Sequence, residues 1–226
     1  PAPLPTFLAE KMKPHHGMLL DVFRASLMQD QHLTIRIAAL KALASFLVAV
    51  SEASARAPFQ ELVPLMLSAI GDSLSANAEA ECRDALEVFV EIAESQPKFL
   101  KKHIQACVGG MLQIAENGNL EEATRQLALE FVLTTAENNP AIKKLDGFCK
   151  QGVKVALGMM LEIECDTPEE LAEWENEEED EEDTEITNYD VGEEALDRLS
   201  IAMGGKTMVP LPPSVSTLFT HSCDRI

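Results

Sequence analysis

Arg36-Ile37-Ala38-Ala39-Leu40-Lys41-Ala42 returns in outline as Arg83-Asp84-Ala85-Leu86-Glu87-Val88-Phe89 and again as Arg125-Gln126-Leu127-Ala128-Leu129-Glu130-Phe131. Each run opens on arginine, continues in small and apolar residues, and follows an Asp or Asn six residues upstream: Asp30, Asn77 and Asn119. Arg83 lies 47 residues after Arg36, and Arg125 lies 42 after Arg83. Two-helix units of the HEAT and armadillo kind repeat at about 40–47 residues. In such stacks an acidic or amide side chain of the turn can bond to the arginine of a neighbouring unit. These six residues are therefore read as the structural repeat ladder.

The surrounding chain supports that reading. Apolar residues fall at helical spacing over about 15–29, 33–52, 58–75, 78–95, 97–116, 120–138, 140–163 and 190–203. Pro58, Pro97 and Pro140 each stand where a helix should begin, a position that tolerates proline. No convincing strand pattern appears. Aromatic residues make up only 5% of the chain, with one Trp and one Tyr, which is too few to suggest sheet filling. The expected fold is an all-α HEAT-repeat α-solenoid of antiparallel helix pairs, rather than a plain helical bundle with chance matches.

A fourth arginine, Arg198, comes 73 residues after Arg125, about 30 more than the period. The surplus coincides with residues 162–185, which carry 15 Asp or Glu and no Lys or Arg. So dense a run of like charge cannot pack, and reads as an acidic disordered loop between the helices of a fourth repeat. The expected organisation has five parts. Residues 1–14 end a preceding repeat. Residues 15–161 hold three repeats and the first helix of a fourth, and residues 162–189 form the inserted loop. Residues 190–209 supply the fourth repeat's second helix, and residues 210–226 an atypical, unstructured tail.

The net charge of −20 is thus largely one local feature, since the rest carries 23 acidic against 18 basic residues. A field of that sign repels phosphates and anionic lipid heads and attracts basic proteins, so direct nucleic-acid binding is not expected. No apolar run is long enough to span a bilayer, and membrane insertion is not expected. The five cysteines are scattered without CxxC spacing, which indicates neither a zinc site nor a disulfide framework. His15, His16, His32, His103 and His221 lie at no metal-ligand spacing with carboxylates or cysteines. Gly204-Gly205-Lys206-Thr207 resembles the end of a phosphate loop, but Ser200 stands where its first glycine belongs and a helix precedes it. No cofactor, metal or catalytic constellation is indicated, and the chain is not expected to be an enzyme.

Two acidic features point to ligands instead. In the tract, Glu175, Glu177, Glu178, Glu179, Asp180, Glu181, Glu182, Asp183 and Glu185 offer a docking site for Lys/Arg-rich partners. Trp174 beside them can cover a lysine stem or a cation. Asp84, Glu87, Glu91 and Glu94 recur at helical spacing and form one stripe on a second helix. Glu122 and Glu130, with Gln126 and Glu137, give a weaker stripe one repeat later. Second helices usually line the concave face of such a solenoid, so both stripes are candidates for a basic ligand. The same residues are compatible with a solubilising loop and an ordinary solvated face. They are also compatible with a HEAT scaffold subunit of a phosphatase or chromatin complex.

Arg36 to Ala42, Phe59-Gln60-Glu61-Leu62-Val63-Pro64 and Met111-Leu112-Gln113-Ile114-Ala115-Glu116 resemble segments of the importin-beta (karyopherin-beta) superfamily, importin beta-3 type. So, more specifically, do Leu120-Glu121-Glu122-Ala123-Thr124-Arg125-Gln126-Leu127-Ala128 and Leu196 through Lys206, with the acidic insertion between them. The resemblance covers about residues 7–210. It implies an internal piece, about four repeats long, of a nuclear import receptor that shuttles between cytoplasm and nucleus. Such receptors bind basic cargo such as ribosomal proteins and histones on the concave face. They pass the pore on Phe-Gly nucleoporins and release cargo to GTP-bound Ran. The resemblance gives the tract, Glu175 to Glu185 here, a part in cargo or Ran handling.

Overall fold

The computed structural model describes residues 11–29, 32–162 and 186–204. They form eight principal α-helices: α1 His16–Leu27, α2 Leu33–Ala49, α3 Val63–Ser75, α4 Glu79–Ser95, α5 Ile104–Glu116, α6 Glu122–Asn138, α7 Phe148–Met160 and α8 Asn188–Met203. Among the described residues there is no strand. The helices associate as the pairs α1/α2, α3/α4, α5/α6 and α7/α8, which is the HEAT arrangement. The chain divides into two compact units, one ending at Leu145 and one beginning at Asp146, so the first three pairs form one unit and α7/α8 the other. Asp30 and the acidic tract, with Trp174 and Glu175 through Glu185, lie outside the described residues.

The first helix of each pair begins later than hydrophobic periodicity alone suggests. A 3-10 turn precedes each of α3, α5 and the break before α7: Ala57–Leu62, Phe99–Lys102 and Pro140–Lys144. The prolines explain this, because Pro58 and Pro140 fix φ and lack an N–H while the chain changes direction between pairs. Gly147, at φ 75°, stands at the N-cap of α7 in a backbone conformation that a side chain would strain. At the other end of the pair, Asn77 takes the left-handed turn from α3 into α4 at φ 53°, which asparagine tolerates. Helix α8 starts two residues earlier than the sequence pattern suggests. Thr187 accepts from the Asp190 N–H, and Asp190 Oδ2 accepts from the Thr187 N–H at 2.8 Å, a reciprocal capping box.

In the first unit the second helices α2, α4 and α6 pack directly on one another. Helix α4 shows why. Cys82, Ala85, Leu86, Phe89, Ile92 and Ala93 fall on one stripe and are all buried. Phe89 meets Phe131 of α6 edge-on, ring centroids 5.8 Å apart, a geometry that adds about 0.5–1.5 kcal/mol beyond burial. At the start of the unit, His16, Phe23, Phe46 and Phe59 form a second aromatic cluster. Helices α3 and α5 barely touch, in contrast to the close row of second helices. In the other unit, Gly192 lets α8 approach α7 so closely that an added Cβ would lie 2.5 Å from the Ala156 carbonyl oxygen.

Two of the repeat arginines, Arg36 and Arg83, stitch neighbouring pairs, but through acceptors other than the expected Asn77 and Asn119. Arg36, 2% exposed, donates from Nη1 to Asp72 Oδ2 at 2.5 Å and from Nη2 to Ser68 Oγ at 3.1 Å, both on α3 of the next pair. Arg83 donates to Glu121 and, at 3.3 Å, to Thr124 Oγ1 at the start of α6. Glu79, one turn before Arg83, accepts from the Glu121 N–H at 3.0 Å and from Thr124 Oγ1 at 2.8 Å. It thereby caps α6 from the neighbouring pair with a carboxylate at the positive end of the helix. Arg125 turns inward and donates from Nε to the Ala115 carbonyl at the end of α5. Neither Arg36 nor Arg83 bonds to Asn77 or Asn119. Asn77 is committed to its left-handed turn, and the Asn119 side chain donates to Asn117 Oδ1 within its own.

Candidate ligand-binding face

Helix α4 separates its two faces sharply. While the apolar stripe is buried, Glu87, Glu91 and Glu94 are exposed, three and four residues apart on the opposite side. None of their carboxylates has a hydrogen bond or ion pair among the described residues. Three unpaired carboxylates on a rigid helix, one turn apart, are an electrostatic counterpart to a cationic chain laid along the axis. Asp84 differs from the other three. Its Oδ1 pairs with Lys41 Nζ of α2 at 2.6 Å, so the first member of the expected stripe holds two second helices together.

The second expected stripe is less uniform. Glu122 and Glu137 are exposed, but Glu130 is half-buried and accepts from Thr134 Oγ1 at 2.8 Å, tying it to its own helix. Helix α6 is buried over most of its circumference, including Phe131, Val132, Leu133, Thr134, Thr135 and Ala136. It therefore has little open surface to offer, and the open acidic surface of this unit centres on α4.

Asp72, on α3, has a shifted titration. The Arg36 hydrogen bond holds the Asp72 carboxyl below its usual range, against the opposing effect of partial desolvation, and Ser68 adds a second bond. Asp72 is a seam residue, tied to Arg36 of the preceding pair. Burial pushes the Cys82 thiol up to about 11 and the Cys107 thiol up to about 12, so neither is a nucleophile at neutral pH. Among the described residues no group of His, Cys, Asp and Glu is arranged to hold a metal ion.

On the far side of the unit from this row, α3 and α5 leave a groove of about 320 Å³ between them. Leu67, Ile70, Leu74, Met111 and Ile114 line it, and Gly71 and Gly110 keep its walls low. Sequence reasoning leaves this groove unplaced. Its signal is a surplus of apolar residues on two first helices, together with a glycine in the middle of each.

The four-pair arrangement has known relatives. Residues 117–210 match the Importin repeat family, and residues 2–109 match the family described as IPO5-like, TPR repeats. The chain belongs to the importin-beta superfamily. Importin subunit beta-3 of Saccharomyces cerevisiae is 30% identical over 146 residues, covering 64% of this chain and 13% of the yeast protein. The probable importin-5 homolog of Dictyostelium discoideum is 26% identical over 193 residues, covering 85% of this chain and 17% of that protein. This importin-beta chain thus spans less than a fifth of the length of the curated relatives it matches.

The karyopherin Kap121p, solved bound to the extreme C-terminus of the protein phosphatase Cdc14p, superposes with a TM-score of 0.74 at 26% identity over 84% of this chain and 18% of its own. Its structure bound to RanGTP gives a TM-score of 0.73 at 25% identity, with 84% of this chain and 19% of Kap121p covered. The importin-beta resemblance and the HEAT architecture read from the repeat arginines therefore both hold.

Proposed function

We propose that this chain is part of a nuclear import receptor and contributes a cargo-binding face built on Glu87, Glu91 and Glu94. The observation that carries the reading is the unpaired carboxylate row on α4, which complements a Lys/Arg-rich segment. Ribosomal proteins and histones are cargo of that chemistry. Glu122 and Glu130 extend the face weakly, and Asp84 contributes only when Lys41 releases it. The tract from Trp174 through Glu185 adds a second acidic element for cargo or for GTP-bound Ran, whose arrival releases the cargo. The RanGTP and Cdc14p complexes of Kap121p support both partner classes for the superfamily member to which this chain is similar.

The α3/α5 groove is of a size to take a phenylalanine side chain, and fits weak contacts with Phe-Gly nucleoporins during passage between cytoplasm and nucleus.

The test is fluorescence anisotropy of a labelled Lys/Arg-rich peptide against the full chain and E87Q/E91Q/E94Q. About a tenfold loss of affinity is expected for the variant, with GTP-loaded but not GDP-loaded Ran displacing the peptide from wild type. Equal affinities for the two proteins would contradict the reading.

A further inference from the structure

The turns between pairs carry charge of the opposite sign. Between the segment Ala53–Leu62 and the turn Gln96–Lys102 lies a cleft of about 290 Å³. Phe99, buried, and Pro97 give it an apolar wall, and Gln60 and Gln96 place amides at its edge. Two cations face it, Arg56 and Lys98. The Arg56 guanidinium donates from Nη1 to the Val50 carbonyl and has no carboxylate partner among the described residues. Burial lowers its pKa, as expected for a partly desolvated cation without a counter-charge. The acids nearest to it in sequence are engaged elsewhere: Glu52 pairs with Lys13 at 2.8 Å, and Glu61 with Arg24. Lys98 is exposed and has no ion pair among the described residues, as is the case for Lys101 and Lys102 in the same turn.

A cationic cleft with no counter-charge among the described residues, in a chain of net charge −20, is not explained by solubility or by the repeat seam. We propose that it is a docking site for an acidic peptide segment, with a carboxylate on Arg56 and Lys98 and an apolar side chain against Phe99 and Pro97. The guanidinium plane suits a carboxylate, with donors left over after the Val50 carbonyl is served. The apolar wall selects a peptide over a free anion. The overall negative field disfavours an extended polyanion such as nucleic acid, whereas a short segment presents its few charges only within the cleft. None of the α4 carboxylates lines this cleft, and the site stands whether or not they bind basic cargo.

The experiment uses the full chain and a fluorescein-labelled eight-residue peptide with Asp-Leu-Glu at its centre. Lys98→Gln removes an exposed cation, Ala53→Trp fills the cleft from an exposed position, and Arg56→Gln removes the half-buried cation. Each is expected to weaken the peptide at least fivefold, with unchanged far-UV circular dichroism for K98Q and A53W. Binding of the Lys/Arg-rich peptide should be unaltered. The proposal is overturned by wild-type affinity in both K98Q and A53W, or by equal binding of a Lys-Leu-Lys counterpart. Tighter binding of a twelve-residue oligothymidylate with the same variant sensitivity would make the cleft a phosphate site and overturn it too. So would displacement of the acidic peptide by a neutral Phe-Gly peptide.

Discussion

The seam between the first two pairs and the open face of α4 use the same residue types to opposite ends. At the seam, Asp72 receives the buried Arg36 and is braced by Ser68, whose Oγ lies 3.0 Å from Asp72 Oδ2. On α4, Glu87, Glu91 and Glu94 have no partner among the described residues and stand in water. A buried guanidinium met by a carboxylate at the surface holds architecture, and losing the carboxylate leaves the buried cation uncompensated. An exposed unpaired charge adds little to stability and remains available to a ligand. Substitutions at the seam should therefore move stability without first touching ligand affinity, and substitutions on α4 should do the reverse.

The largest expected effect is at the seam. Arg36→Ala empties a buried volume and removes the bonds to Asp72 and Ser68 across the seam, and should destabilise the first unit by about 3 kcal/mol, measured by urea denaturation. Loss of less than about 1 kcal/mol would place Arg36 with ordinary surface pairs and erase the contrast. Next comes E87Q/E91Q/E94Q, with about a tenfold loss in Lys/Arg-rich peptide affinity, or about 1.4 kcal/mol, and a melting temperature equal to wild type. A fall in melting temperature would mean that the α4 carboxylates also hold structure.

The legibility of these two regions in the sequence differed for physical reasons. The repeat was readable because an arginine followed by small and apolar residues must recur wherever a second helix packs on its neighbours, as Arg36, Arg83 and Arg125 do. The α4 stripe was readable because helical spacing alone puts Glu87, Glu91 and Glu94 on one side. The partners of the arginines were not readable. Asp72 lies on the next pair's first helix, 36 residues on, and nothing local marks it as a partner. Nor was the engagement of Asp84, which depends on how α2 and α4 lie side by side. The turn cleft was hidden for a related reason: Arg56 and Lys98 are far apart in sequence and meet only because two inter-pair turns stack. The start of α8 was visible in principle, since Thr187 and Asp190 have capping-box spacing.

Smaller effects sharpen the contrast further. The folded-state pKa of Asp72 is lowered, so its contribution is present above the ordinary carboxylate pKa and is lost as pH falls through the lowered value. Wild type should therefore lose stability on that acid limb, and Asp72→Asn should show a shallower fall there, read from urea midpoints against pH. Identical acid limbs would remove Asp72 from the seam. The smallest effect is at Lys41→Ala, which frees Asp84 to join the open stripe. About a twofold gain in basic-peptide affinity is expected, and a loss would show that Asp84 must stay paired for the face to form.

The central claim, that the open α4 carboxylates are the ligand face, is tested most directly by carboxyl footprinting. Carbodiimide-driven amidation of the full chain, read by mass spectrometry, is compared with and without the Lys/Arg-rich peptide. Glu87, Glu91 and Glu94 should label readily in the free chain and lose most of that labelling on binding, while Asp72 at the seam labels equally in both. Undiminished labelling of the three glutamates in a peptide-saturated chain would contradict the account.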